Sequence, residues 1–202
     1  MSWEATIREL QRKNYLHTER VREAMRNVDR KDFVTQEPER AYEDHPLPIG
    51  HGQTMSAPHM VAMMTEELEP QPDDTVLEIG TGSGFQAAVL AEIVDTVYTL
   101  ERISALVDVA RDHLEEYDNV TIIEKNGFEG YDDQAPYEKI IVTASPSSVP
   151  DALKDELADD GRLVIPIEEG RLQRLKVFEK QDGTVDEIKD CGPVGFVPMK
   201  DD

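Results

Sequence analysis

The segment from residue 76 to residue 85 constrains the fold more than any other part of the chain. A short apolar run containing one acid, Glu78, is followed by glycines at three alternate positions, Gly80, Gly82 and Gly84. Such a pattern is typical of a buried strand, a tight turn and the start of a helix. Glycine tolerates positive φ and lets a ligand approach more closely than a Cβ would allow. The segment therefore predicts a nucleotide-like ligand at the end of the first strand of an open α/β sheet.

The spacing of these glycines separates two classes of ligand. A dinucleotide fingerprint reads G-x-G-x-x-G and places a pyrophosphate on the helix N-terminus, whereas this chain reads E-x-G-x-G-x-G. The carboxylate of Glu78, pointing into the turn, would repel a pyrophosphate and favour a positively charged ligand. S-adenosylmethionine carries both a sulfonium and an ammonium group. The segment resembles motif I of the class I methyltransferases, and the alternative is a glycine-rich turn that binds nothing.

Strand-like and helix-like segments alternate along the rest of the chain. This alternation predicts an α/β fold with a doubly wound, mostly parallel, Rossmann-like sheet. Apolar and polar side chains alternate over residues 172–179, before a turn at residues 181–183, so the last strands are expected to be antiparallel. Strands are predicted at residues 75–79, 96–100, 120–124, 140–143 and 161–166, and helices at residues 58–68, 85–94, 105–117 and 150–157.

The N-terminal third of the chain has a different character. Residues 3–28 read as helical and are expected to cover one edge of the core. Residues 37–58 contain four prolines and two glycines, which disfavours regular structure. Long loops in compact domains are usually functional. Ser56 is placed to cap a helix that begins at Pro58.

Polar residues after the second and third predicted strands support an adenosine site. Glu101 ends the second strand, 21 positions after Gly80, and an acid at about this distance accepts hydrogen bonds from ribose hydroxyls. Since NAD-dependent enzymes place an acid similarly, Glu101 does not identify the cofactor, and a surface acid is the alternative. Asn126, Gly127 and Phe128 follow the third strand, where an amide can bind the adenine amino group and an aromatic ring can cover the base.

The charge of the chain limits its partners. With 21 basic and 43 acidic residues the formal net charge is −22, so nucleic acids and anionic membranes would be repelled. We expect neither as a partner. The charge favours a halophilic protein, soluble in a high-salt cytoplasm where salt screens self-repulsion. An acidic protein of a low-salt cell is the alternative.

Other sequence features predict a soluble, cytoplasmic protein. The single cysteine, Cys191, excludes an internal disulfide and a multi-cysteine metal site. No apolar run is long enough to span a bilayer, and residues 1–10 lack a signal-peptide core. No group of histidines and acids has convincing metal-ligand spacing, so no metal is expected.

The loop before the glycine turn carries a second, more specific pattern. Residues 47–58 read Leu-Pro-Ile-Gly-x-Gly-Gln-Thr-Met-Ser-x-Pro. This segment resembles the phrase Leu-Pro-Ile-Gly-x-Gly-Gln-Thr-Ile-Ser-x-Pro of the protein-L-isoaspartate (D-aspartate) O-methyltransferase family, with Met55 in place of the isoleucine. The resemblance covers nearly the whole chain and includes residues 76–84, 98–102, 140–144, 161–166 and 196–198.

The resemblance implies a protein-repair enzyme. Such an enzyme transfers a methyl group from S-adenosylmethionine to the α-carboxyl of L-isoaspartyl and D-aspartyl residues in damaged proteins or peptides. The ester then cyclises to a succinimide, which reopens partly to aspartate. Ser56 matches the active-site serine of the family. We expect a monomer with a single domain, in which residues 1–70 supply helices and the substrate loop and residues 71–202 form the cofactor-binding core.

The candidate site residues follow from the motifs and the resemblance together. A substrate carboxylate is already anionic at neutral pH and needs no general base. Ser56 is therefore expected to position the substrate carboxylate, and helix capping is the alternative. His51 and His59 invite the role of a catalytic base, which this reaction does not need. A loop or packing role is the alternative for each histidine. The residues expected at the cofactor are Glu78, Gly80, Gly82, Gly84, Glu101, Asn126, Gly127, Phe128, Thr54 and His59.

One residue departs from the family pattern. The adenine loop of the family usually reads Gly-Asp-Gly, whereas this chain has Lys-Asn-Gly at residues 125–127. An uncharged Asn126 still offers an acceptor, although cofactor affinity would be weaker. Two other functions stay open: a methyltransferase that uses another substrate, and a noncatalytic paralogue that keeps the fold.

Overall fold

A seven-stranded sheet forms the centre of the computed structural model, which describes residues 2–201. Helices pack on both faces of the sheet, and a separate two-stranded hairpin lies before it in the chain. The elements in chain order are α1 (Trp3–Arg12), α2 (Glu19–Asn27), β1 (Leu47–Gly50), β2 (Gln53–Met55), α3 (Pro58–Leu68), β3 (Thr75–Ile79), α4 (Phe85–Ala91), β4 (Thr96–Glu101), α5 (Ser104–His113), β5 (Val120–Glu124), β6 (Tyr137–Val142), α6 (Asp151–Glu156), β7 (Leu157–Glu169), β8 (Leu172–Gln181) and β9 (Thr184–Val194).

The strand order explains where a ligand can bind. It is β5-β4-β3-β6-β7-β8-β9, with five parallel strands followed by two antiparallel ones. This confirms the predicted doubly wound sheet with antiparallel C-terminal strands. From β3 the chain adds β4 and β5 on one side, and it then places β6 and β7 on the other side of β3. Such a switch point opens a crevice at the carboxyl ends of the strands.

The N-terminal helices share their core with the sheet. The ring of Trp3 lies 6.0 Å from that of Phe85 at the start of α4, and the ring of Phe33 lies 5.6 Å from the same side chain. All three side chains are buried in one apolar cluster, which also contains Ile141 from the middle of β6. The N-terminal helices were expected to cover one edge of the core; in the structure they pack against α3 and α4.

Of two N-terminal expectations from the sequence, one is confirmed and one is wrong. Residues 3–28 are mostly helical as expected, in two helices separated by residues 13–18, and Thr18 caps the first turn of α2. Residues 37–58, expected to be irregular, contain the β1–β2 hairpin. His51 and Gly52 both have positive φ, which the tight turn of a two-residue hairpin requires. Pro48 is tolerated because this ribbon has only two strands.

The expected cap of α3 is also wrong. The helix begins at Pro58 as predicted, but its capping position is occupied by Ala57, and no side chain at that position makes a cap hydrogen bond. Asp44, a residue distant in sequence, instead accepts a hydrogen bond of 2.9 Å from the backbone N–H of His59. The Ser56 hydroxyl is therefore not used by the helix. Smaller differences at element ends leave α4 and α5 shorter than expected and β7 longer.

Because α1 and the sheet share one core, they are expected to unfold together. Trp3 is the single tryptophan of the chain, so its fluorescence reports on α1, while circular dichroism reports on all helices. Phe85→Leu should lower the free energy of unfolding by about 1–1.5 kcal/mol. The midpoints from fluorescence and from circular dichroism should fall together. Leu172→Ala, at an exposed apolar residue, is the control and should cost less than about 0.5 kcal/mol. Two separate transitions would contradict a shared core.

Candidate active site

Three adjoining hollows lie at the carboxyl ends of β3, β4 and β6. The main cleft lies between the glycine turn and residues 197–200. The side groove lies between residues 54–60 and residues 193–197. The throat lies between them, above the start of α4. Thr54 and Thr143 line all three hollows, so the main cleft and the side groove meet at these two side chains.

The predicted site residues are distributed over these hollows and their surroundings. Those that line the main cleft are Thr54, Gly80, Gly82, Glu101 and Gly127. Ser56 and His59 line the side groove, and Ser56 also lines the throat. The remaining four, Glu78, Gly84, Asn126 and Phe128, lie next to the main cleft without lining it.

The turn after β3 is held by the strands on either side. The N–H groups of Gly80 and Thr81 donate to the carbonyl of Leu100 in β4, at 2.8 and 3.1 Å. On the other side, the hydroxyl of Thr143 lies 2.8 Å from the Gly80 carbonyl. Gly80 has a φ of +99°, and a Cβ there would clash with the Thr143 hydroxyl. Only glycine fits at this position.

Glu101 stabilises the same turn from the end of β4. Its Oε2 accepts a hydrogen bond from the N–H of Gly82 at 3.0 Å, and its Oε1 accepts one from the N–H of Ile103 at 2.9 Å. A carboxylate offers about four acceptor positions, so further positions remain. Since Glu101 also lines the main cleft, these positions can accept hydrogen bonds from the hydroxyl groups of a ligand.

Glu78 lies beneath the turn and is completely buried. Its Oε2 accepts a hydrogen bond of 2.5 Å from the Thr99 hydroxyl, which lies 2.7 Å from the hydroxyl of Thr81 in the turn. Its Oε1 has no partner among the described residues. Burial raises the pKa of Glu78 to about 8, with a smaller contribution from the charge of Glu101. Glu78 is thus placed to act on a ligand through the turn.

Gly84 and the loop after β5 shape the site from outside the main cleft. A Cβ on Gly84 would lie 3.0 Å from the side chain of Leu114 in the chain segment after α5, so this glycine allows close packing of α4. Asn126 accepts a hydrogen bond from the N–H of Phe128 at 3.0 Å and donates to the carbonyl of Asp201 at 3.1 Å. Its amide therefore serves the loop and the C-terminal segment. Gly127 alone of residues 126–128 lines the main cleft.

The side groove contains a histidine oriented by a carboxylate. His59 lies one residue into α3, and its Nδ1 is 2.8 Å from Oδ1 of Asp44. Burial acts to raise the pKa of Asp44, but hydrogen bonds from the His59 ring and backbone hold that pKa below its usual value. Ser56 lies in the same groove, and its hydroxyl makes no hydrogen bond within residues 2–201. No carboxylate is present among the described residues that line the side groove.

Sequence reasoning missed Thr143 and the C-terminal segment as parts of the site. Thr143 follows β6 as Gly80 follows β3, and the ends of neighbouring parallel strands meet at one edge of a sheet. The position of Thr143 at the end of a parallel strand could therefore have identified it from the sequence. Residues 197–200 close the main cleft because the N–H of Ser145 donates to the carbonyl of Val197, and the N–H of Met199 donates to that of Ser145. These pairings join distant segments and left no local pattern in the sequence.

Neither a metal-binding cluster nor a membrane-spanning helix is present in the part of the chain that the structure describes. Within residues 2–201 no three histidine, cysteine, aspartate or glutamate side chains are grouped so that they could hold a metal ion. No helix in this part of the chain is long and apolar enough to cross a membrane.

Known proteins resemble the chain over its full length. A family model described as protein-L-isoaspartate(D-aspartate) O-methyltransferase matches residues 1–202. A protein-L-isoaspartate O-methyltransferase of Ignicoccus hospitalis is 49% identical, over 96% of this chain and 94% of that protein. One of Hyperthermus butylicus is 47% identical, over 96% and 86%.

A solved structure gives the same result. It is a Plasmodium falciparum protein described as a protein-L-isoaspartate O-methyltransferase, in complex with S-adenosyl-L-homocysteine. The TM-score is 0.88 and the identity 30%, and the match covers 100% of both chains.

The raised pKa of Glu78 predicts a pH-dependent stability for the ligand-free protein. Below its ordinary pKa of 4.5 Glu78 is protonated whether the chain is folded or not. Between 4.5 and about 8 only the unfolded chain releases the proton, so the free energy of unfolding falls as the pH rises. Glu78→Gln removes this loss and should be about 2–4 kcal/mol more stable than the parent near pH 8, with no such gain near pH 4.5.

Chemical denaturation at a series of pH values measures this difference. Glu168→Gln, at an exposed residue of β7, is the matched control and should leave the pH profile unchanged. A constant difference between Glu78→Gln and the parent at all pH values would contradict the prediction.

Proposed function

The chain belongs to the protein-L-isoaspartate(D-aspartate) O-methyltransferase family, and from that premise we propose how its residues perform the reaction. The protein transfers a methyl group from S-adenosylmethionine to the α-carboxyl of isoaspartyl residues in damaged proteins. The residue roles rest on one observation, which is that the main cleft and the side groove meet at Thr54 and Thr143. This junction joins a cleft suited to an adenosine with a groove suited to a peptide carboxylate.

The residues of the main cleft fit S-adenosylmethionine. We propose that Glu101 accepts the ribose hydroxyls, that Gly80 and Gly82 allow close approach along the turn, that Thr54 contacts the cofactor from β2, and that Gly127 faces the adenine. When bound, this cofactor supplies an activated methyl group. Glu78, Gly84, Asn126 and Phe128 are proposed to support the cofactor indirectly by holding the turn and the loop.

Ser56 is proposed to position the substrate. The α-carboxylate of an isoaspartyl residue is ionised at neutral pH, so it is already a nucleophile. Ser56 can donate its otherwise unused hydroxyl to one carboxylate oxygen in the side groove, leaving the other oxygen directed through the throat. Orientation of this kind contributes much of the rate when both reactants are activated.

The charge of the side groove supports this role. A protein of net charge −22 repels a carboxylate in general, but the described lining of the side groove carries no acid. We infer that His59 contacts the substrate rather than the cofactor. With its Nδ1–H directed to Asp44, the remaining ring nitrogen is available to the peptide. The reaction needs no general base, so His59 is assigned to recognition.

The remaining assignments are also proposals. Residues 1–70 are proposed to supply the substrate side and residues 71–202 the cofactor side of one domain. The protein is proposed to act as a monomer in the cytoplasm, without nucleic-acid or membrane partners. The acidic surface supports this view, because both of those partners carry negative charge.

The proposed activity predicts selective methylation. Labelled methyl from S-adenosylmethionine should enter a peptide containing isoaspartate and not its aspartate twin. Ser56→Ala should lower kcat by about 10- to 100-fold, because one positioning hydrogen bond is lost. The dissociation constant of S-adenosylhomocysteine should change by less than about two-fold.

The matched control for this substitution is Ser147→Ala, at an exposed serine outside the site, which should keep its kcat. If neither peptide were labelled although the cofactor binds, the proposed activity would be contradicted, in favour of another methyl acceptor or a noncatalytic protein. Equal losses of turnover and cofactor affinity in Ser56→Ala would contradict the positioning role.

We also propose that the protein works in high salt. Its net charge supports this, since salt at about 1 M shortens the screening length to about 3 Å. Raising potassium chloride from about 0.1 M to about 2 M should therefore raise the midpoint of thermal unfolding and maintain kcat. Sucrose of equal osmolality is the control for excluded-solute effects. A stability maximum in dilute buffer would contradict this proposal.

A further inference from the structure

Arg30 is a completely buried arginine next to the side groove. It begins a short 3-10 turn after α2, and its side chain is shielded from solvent. Its Nη1 donates to the carbonyl of Ala41 at 2.6 Å and to that of Glu43 at 3.2 Å. Its Nη2 donates to the carbonyl of His45 at 3.0 Å and to that of Ser56 at 3.1 Å. One guanidinium group thus binds four backbone carbonyls from two separate stretches of chain.

Stability alone explains this arrangement poorly. A buried charge is costly, and an apolar group of similar size is often as stable or more so. Within residues 2–201 no carboxylate lies within salt-bridge distance of Arg30, and its Nε–H has no partner. Burial lowers the pKa of Arg30 to about 10, while the negative charge of Asp44 acts in the opposite direction. The guanidinium therefore stays charged at neutral pH.

The backbone carbonyls that Arg30 binds belong to residues that flank Asp44 or form the side groove. Glu43 and His45 flank Asp44, whose carboxylate holds His59. The fourth carbonyl belongs to Ser56 itself. These residues lie outside the helices and strands, where no regular ladder fixes the backbone. Arg30 therefore links Asp44 to Ser56 across the β1–β2 hairpin.

We propose that Arg30 is a positioning residue for methyl transfer, which holds Ser56 and the Asp44–His59 pair in fixed relation along the side groove. This inference rests on the proposed role of Ser56 and names what places it. The planar guanidinium presents donors in several fixed directions. A lysine ammonium keeps the charge but cannot reach all four carbonyls in one geometry, so Ser56 would lose its fixed place.

The test compares Arg30→Lys with Arg162→Lys. Arg162 is also largely buried; it donates to the carbonyl of Glu67 and pairs with Glu179. It lies opposite Lys139 near the start of β6, whereas the groove lies at the carboxyl end of that strand. Arg30→Lys should lower kcat on an isoaspartyl peptide by about 10- to 100-fold, since small misplacements cost about this much. The dissociation constant of S-adenosylhomocysteine should change by less than about two-fold, and Arg162→Lys should keep its kcat.

A mutant cycle that removes both Ser56 and His59 identifies the route of the effect. If Arg30 acts through these two side chains, adding Arg30→Lys to the Ser56→Ala/His59→Ala variant should slow it by no more than about two- to three-fold. Multiplied losses, or parallel losses of kcat and cofactor affinity in Arg30→Lys, would overturn the inference. Failure of both Arg30→Lys and Arg30→Gln to fold would also overturn the inference, because Arg30 would then serve folding.

Different results would disprove the proposed role of Ser56 and the inference about Arg30. Full activity of Ser56→Ala would remove the proposed role of Ser56, whatever the result at position 30. Full activity of folded Arg30→Lys beside an impaired Ser56→Ala would remove only the inference about Arg30. Addition of guanidinium to folded Arg30→Ala should recover part of the lost kcat, while Arg162→Ala should show no such recovery.

Discussion

The contact between Gly80 and Thr143 is the constraint on which the rest of the site depends. At the switch point of the sheet, the backbone after β3 passes so close to the residue after β6 that no Cβ can be accommodated. The Thr143 hydroxyl and the Leu100 carbonyl then fix the turn from both sides. Because Thr143 also lines the main cleft, the throat and the side groove, the residue that fixes the turn is also one at which the two proposed binding regions meet.

Local charge arrangement lets a strongly acidic protein accept both a cation and an anion. The cleft proposed for the cationic cofactor has the carboxylate of Glu101 in its wall, whereas burial raises the pKa of Glu78 beneath the turn to about 8 and keeps it uncharged at neutral pH in the ligand-free protein. The groove proposed for the anionic carboxylate has no acid in its described lining, and the nearby Asp44 is engaged by His59 and faces the charge of Arg30. Net charge therefore governs solubility and long-range repulsion, whereas recognition depends on which charges are buried or paired near each ligand.

The parts of the fold that could be predicted are those encoded by neighbouring residues. The strand, glycine turn and helix around Gly80 and the acid at Glu101 were found from short patterns, and the structure brings them together at one cleft. The hairpin around His51 was missed because its prolines were read as breaking regular structure, although a two-stranded ribbon tolerates them. His59 was assigned to the cofactor from its spacing to Ser56. Its place in the side groove depends on Asp44, 15 residues earlier, and such a contact leaves no periodic signal.

The expected conflict between capping and catalysis at Ser56 is resolved by Asp44. A serine before a helix normally gives its hydroxyl to the first turn, and Ser56 stands one residue too early to occupy the capping position. Asp44 accepts the free N–H of His59 instead, and the same oxygen orients the His59 ring. One carboxylate thus stabilises the helix start, leaves the serine hydroxyl available and directs a histidine into the groove. Since Arg30 binds the carbonyls on both sides of Asp44, the buried guanidinium is the group that makes this division of roles possible.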